Sequence, residues 1–82
     1  MIISDVEKKE EFIIEEIDAS NIEKEALDVI GIYEGTSVVI IGEGYLKGSI
    51  LVKNSDGIVV QLNPFFVSKI KGSIVRNKKL VK

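Results

Sequence analysis

Thirteen carboxylates and eleven basic side chains occur in a chain of 82 residues that has neither histidine nor cysteine. Without histidine the commonest general base and the commonest metal ligand are missing. Without cysteine there is no thiolate nucleophile, no thiolate metal site and no disulfide. A metal site would have to be built from oxygen ligands alone. The acids that could supply them are Glu10-Glu11, Glu15-Glu16 and the Glu23/Glu25 pair. They lack the Asp-x-Asp-x-Asp-Gly spacing of a calcium loop, and on a strand Glu15 and Glu16 are expected to point to opposite faces. Nothing around them suggests the concave apolar pocket that a paired-carboxylate acid/base site requires. A solvated acidic face is the expected role. No catalytic, metal or cofactor residue is assigned, and a carboxylate-dependent hydrolase is the enzyme class set aside on these grounds.

Binding is the chemistry left. The segment Gly42-Glu43-Gly44-Tyr45-Leu46-Lys47-Gly48 combines three glycines with an aromatic and a leucine. On a loop, Tyr45 and Leu46 could anchor a partner, because aromatic anchors dominate small interfaces. The alternative is that the glycines only supply turn geometry and Leu46 caps the core. The segment is no phosphate cradle, since it lacks Gly-Lys-Ser/Thr and no helix follows it. Tyr33 and either Phe65 or Phe66 could line a hydrophobic groove beside a helix, although core packing accounts for at least one of the phenylalanines. Reading proline-rich peptides needs a row of exposed aromatics, and this chain has no tryptophan and two tyrosines. The tail Arg76–Lys82 holds Lys78, Lys79 and Lys82 without interleaved aromatics, a poor nucleic-acid signal and a plausible solubilising end. The candidate partner-binding residues are therefore Tyr33, Tyr45, Leu46 and Phe65.

These residues need a scaffold, and the pattern around them specifies one. Met1–Lys9 shows no period and is expected to be extended or partly mobile. Glu10–Asp18 carries Phe12, Ile13, Ile14 and Ile17 between acids, which suits a half-buried first strand or a short helix. Ser20-Asn21-Ile22-Glu23 is a capping box. Ile22, Ala26, Val29 and Ile30 then recur at helical spacing, predicting that they face the core while Glu23, Lys24, Glu25 and Asp28 face water. Gly31 is placed for a left-handed C-cap, with Ile32 folding back over the last turn.

Beyond Gly35 the period becomes that of strands. Thr36–Ile41, Ser49–Lys53 and Ile58–Leu62 are rich in branched residues, and Asn54-Ser55-Asp56-Gly57 is a hairpin turn by composition. Asn63-Pro64 stops the third of these strands, Phe65-Phe66-Val67 forms a helical turn, and Ser68–Val75 resumes with Ile70, Gly72 and Ile74 on one face. Five short strands are expected to close on themselves, since an open sheet leaves two exposed edges. The fold expected is one mostly-β domain over 1–82, a small five-stranded barrel with a short α-helix between strands 1 and 2. Its core spans about 10–75, and a basic tail, expected to be frayed, spans 76–82.

Such a chain is too small to split into two cored halves, and its stability margin is on the order of 5 kcal/mol. No apolar run approaches the ~20 residues of a membrane span and the N-terminus lacks a signal-peptide profile, so a soluble cytoplasmic protein is expected. Residues 1–34 hold eleven acids against three bases, a net −8, while residues 35–82 hold eight bases against two acids, a net +6. The two halves can complement each other within the fold or present a dipolar surface to a partner.

The run Leu27-Asp28-Val29-Ile30-Gly31-Ile32-Tyr33-Glu34-Gly35-Thr36 resembles the signature of the ferrous iron transport protein A family, the FeoA-like domains. Leu27, Ile30, Gly31, Ile32, Gly35 and Thr36 match it, and Glu34 stands where that family usually has proline. The strand Val38–Ile41, the loop Tyr45-Leu46-Lys47-Gly48, the strand Ile58–Leu62 and the closing Val67-Ser68-Lys69-Ile70 fall where the family has them. The similarity runs over roughly Phe12–Val75. Only Leu46 and Gly48 survive of the prolines, leucine and glycine that often frame the family's loop. The resemblance implies a cytoplasmic SH3-like barrel that assists the membrane ferrous iron transporter by binding its cytosolic GTPase-containing part, with no nucleic acid partner and no membrane insertion. The same fold forms the C-terminal domain of iron-dependent repressors. A free-standing relative of that domain, acting as an interaction module in transcriptional control, is the alternative.

Overall fold

The computed structural model describes residues 1–75. The basic tail, Arg76–Lys82, lies outside the described residues. After a 3-10 turn at Ile3–Asp5 come β1 (Glu11–Ile17), α1 (Asn21–Val29), β2 (Ser37–Glu43), β3 (Ile50–Lys53), β4 (Val59–Leu62), α2 (Pro64–Val67) and β5 (Ile70–Ile74). All five strands join one antiparallel sheet in the order β4-β3-β2-β1-β5. The strand count and the helix between β1 and β2 agree with the sequence pattern, and Glu10–Asp18 resolves as strand rather than helix.

The sheet does not close on itself, contrary to the expected barrel closure: β4 and β5 form its two edges and are not paired. The chain between them is used for α2, which starts on an Asn63 cap with Pro64 at its first turn. Val67 is buried and Phe66 packs against the core from this turn. α2 thus adds side chains to the core where no ladder joins β4 to β5.

The core draws on every element, with Phe12, Ile14, Leu27, Ile32, Val38, Val52, Leu62 and Ile70 at 3% exposure or less. Removing each such side chain from water contributes roughly 1.5–3 kcal/mol. Gly72 lets β5 approach β1 closely, because a β-carbon there would run into the carbonyl of Ile13. A bulge in β1 at Ile14/Glu16 shifts its register against β5. It also leaves both Glu15 and Glu16 exposed, where simple alternation predicts opposite faces.

The N-terminus is built in rather than loose. Ile3 is fully buried and Val6 nearly so, and a 3-10 turn brings positions three apart onto one side. A strand or helix period could not show this. The Met1 amine donates to the Gly72 carbonyl at 2.9 Å, and the Gly72 amide donates back to the Met1 carbonyl at 2.9 Å.

The capping box of α1 is present: Ser20 Oγ accepts from the Glu23 amide at 3.2 Å and Glu23 Oε1 from the Ser20 amide at 2.9 Å. Its buried face is not the expected one. Ile22 and Val29 are 79% and 85% exposed, Ala26 is exposed, Ile30 is half-buried, and Leu27 is the buried residue. The C-terminal lock sets this phase. Gly31 takes φ +81°, its amide bonds to Asp28 O, and the Ile32 amide bonds to Leu27 O at 2.9 Å. That motif pairs Ile32 with Leu27, and since Ile32 is fully buried, Leu27 faces the core with it.

Candidate interaction surface

The β2–β3 loop projects from the sheet and is tied at its base. Gly44 N donates to Ser49 O at 2.9 Å, and Ser49 returns to Leu46 O through its amide (2.9 Å) and its hydroxyl (2.6 Å). Gln61 of β4 accepts from the Tyr45 amide through Oε1 at 2.7 Å. The backbone is thus held from both sides while the Tyr45 side chain is 93% exposed and Leu46 54% exposed. Ser49 and Gln61 do this positioning, and neither stands out in the sequence because each reads as an ordinary polar residue beside a strand.

Phe65 lies on the neighbouring turn. The loop passes α2 at Gly48, where a β-carbon would sit 3.4 Å from Pro64 Cβ. Phe65 is 53% exposed and stacks edge-on against half-buried Phe66, with ring centroids 5.1 Å apart. The Lys69 ammonium lies 4.9 Å from the Phe65 ring centroid, in cation–π range. The two phenylalanines divide the roles: Phe66 packs on the core and Phe65 faces out. Tyr45, Leu46 and Phe65 are therefore exposed side chains on two segments that approach each other at Gly48 and Pro64.

Tyr33 sits elsewhere. It lines an open groove beside α1 with Ile17, Asn21, Lys24, Asp28 and Glu34, and neither phenylalanine lines it. Most of the side chains lining the groove are polar or charged, where a hydrophobic groove is expected from the sequence. Glu34 organises it, accepting from the Ile17 amide at 2.9 Å and pairing with Lys24 Nζ at 3.4 Å. The Ile17 amide, helped by Lys24, holds the Glu34 carboxyl below the ordinary carboxylate range. Among the described residues no three acidic side chains converge on a point where a metal could sit. No helix among them is long and apolar enough to cross a membrane.

The family model of the FeoA domain matches residues 1–73. This chain belongs to the FeoA domain family. The family is associated with ferrous iron uptake. Three solved structures share the fold of this FeoA-domain chain. The solution structure of the FeoA protein from Chlorobium tepidum superposes with a TM-score of 0.80 at 16% identity, covering 93% of this chain and 71% of that one. A crystal structure of an iron uptake regulatory protein (FeoA) gives 0.78 at 12% identity, covering 92% and 97%. A FeoA-like protein from Clostridium acetobutylicum gives 0.75 at 18% identity, covering 94% and 88%. No curated protein matches the sequence.

Proposed function

We propose that this FeoA-domain chain is a cytoplasmic accessory protein of ferrous iron uptake that acts by docking on the cytosolic, GTPase-containing part of the membrane ferrous iron transporter. It carries out no chemistry of its own. Tyr45 and Leu46 form the centre of the contact, Phe65 extends it, and Tyr33 contributes from the separate groove beside α1. The observation that carries this reading is a tyrosine 93% exposed on a loop whose backbone is fixed by four hydrogen bonds. A side chain presented on a fixed backbone loses less entropy on binding than one on a mobile loop, and aromatic anchors of this kind dominate small interfaces. The fold is read as an SH3-like barrel left open between β4 and β5, with the binding loop passing α2 at Gly48.

The test is the affinity of the purified chain for the transporter's cytosolic part. Tyr45→Ala or Leu46→Ala is expected to weaken binding by roughly 1–2 kcal/mol, about tenfold, with unchanged thermal unfolding. Equal affinity in both variants and the parent would remove these residues from the interface.

A further inference from the structure

The two edges of the sheet are finished differently. The outer edge of β5 is covered by the N-terminus, through the reciprocal Met1–Gly72 hydrogen bonds and an Ile2–Lys71 bridge, and it carries the charge of Lys71. The outer edge of β4 has no such cover among the described residues. The run Ile58-Val59-Val60-Gln61-Leu62 contains no charge and no proline, and Ile58 and Val59 are 57% and 49% exposed. Natural edges are usually short, or carry lysine, proline, a bulge or a covering segment, because unpaired strands recruit other strands. Among the described residues β5 is covered and charged, whereas the four-residue β4 is protected by its shortness alone.

The hydrogen-bond phase fixes what the open edge offers. Asn54 N donates to Ile58 O at 2.9 Å, and the β3–β4 register pairs Val52 with Val60 and Ile50 with Leu62. In an antiparallel ladder the inward-bonding residues alternate, so residues 58, 60 and 62 turn their backbone groups toward β3. Val59 and Gln61 turn N–H and C=O outward.

We propose that β4 pairs antiparallel with β4 of a second copy of this chain, about a two-fold axis at Val60. Val59 then exchanges both backbone hydrogen bonds with Gln61 of the partner subunit, and Gln61 does the same with the partner's Val59. Val60 meets the partner's Val60 at the close, non-hydrogen-bonded spacing, and Ile58 lies beside the partner's Leu62. The strand is neutral, so self-pairing sets no like charges opposite each other. It also offers no charge by which a foreign strand would be selected. This inference does not depend on the transporter reading.

A contact of this size belongs to the weak class, with dissociation expected at about 0.1–1 mM. Sedimentation of the chain over that range should show a monomer–dimer equilibrium. In 15N-labelled protein the amides of Val59 and Gln61 should shift with concentration and gain hydrogen-exchange protection. Val59→Lys and, separately, Ile58→Lys should leave the circular dichroism unchanged and abolish the dimer. A chain that stays monomeric with Val59 and Gln61 amides unmoved overturns the proposal. So does a dimer that survives both lysine variants, which would use another face such as exposed Ile22 and Val29. Movement of the two amides only when the transporter's cytosolic part is added would assign the edge to a foreign strand.

Discussion

Two polar side chains carry more of this structure than their exposure or position in the sequence suggests. Asn54 Nδ2 donates to the Ile30 carbonyl at the end of α1 (3.0 Å), while its Oδ1 accepts from the amides of Asp56 and Ile58 (both 3.0 Å). One buried side chain thus caps the helix and closes the β3–β4 hairpin. Asn54→Ala would orphan those groups and is expected to cost about 3 kcal/mol in chemical denaturation; a loss under about 1 kcal/mol would mean that water replaces them. Glu34 has the smaller, pH-dependent role. Its carboxyl is held below the ordinary value near 4.5 in the folded protein, so its contribution is present above the unfolded value and is lost as pH falls through the lowered folded one. Glu34→Gln should therefore flatten the stability profile in that acid range and leave its shape near neutral pH unchanged. Identical acid slopes in the two proteins would show that the Ile17 and Lys24 contacts do not act on stability. The composition of the turn made Asn54 legible as a hairpin residue, but its second contact spans the separation from Ile30 and depends on tertiary packing. Glu34 was visible only as the residue in proline's place.

At the scale of elements, α1 shows how a local signal can be right about boundaries and wrong about orientation. Its caps are local hydrogen-bond motifs, and both ends follow from Ser20, Glu23 and Gly31. Its buried face differs from the expected one because Ile22, Ala26 and Val29 form an apolar stripe at helical spacing, while the Gly31–Ile32 lock turns Leu27 inward. Leu27→Ala is accordingly expected to cost about 2–5 kcal/mol. Ile22→Ala and Val29→Ala should stay within about 0.5 kcal/mol, and comparable losses at all three would contradict the observed face. The strands were legible from branched-residue runs and turn chemistry. The N-terminal segment was not, because a single 3-10 turn leaves no period over so few residues. The β5–β1 contact yields a further expectation. Gly72→Ala would place its β-carbon against the Ile13 carbonyl and should lower stability by about 3 kcal/mol or more. A neutral result would show that the two strands can separate without loss.

For the whole molecule, the sequence pattern supported the strand count, the helix position and the family, but not the way the sheet ends. The general cost of exposed edges predicts closure, whereas among the described residues the N-terminus covers the β5 edge, β4 has no strand beside it on its outer side, and α2 adds Val67 to the core. The placement of the candidate residues was legible in part. Tyr45 and Leu46 were recognisable from the glycines around them, and Phe65 could not be separated from Phe66 until α2 had an orientation. Tyr33 is set apart in a polar groove by contacts of Glu34 that no spacing reveals. The central proposal is that exposed Tyr45 and Leu46, with Phe65 on the neighbouring turn, dock on the transporter's cytosolic part. Titrating the 15N-labelled chain with that part tests it most directly. Shifts concentrated at residues 43–48 and 64–69 are the result predicted. A spectrum that does not change at saturating partner, or changes confined to other faces, would contradict it.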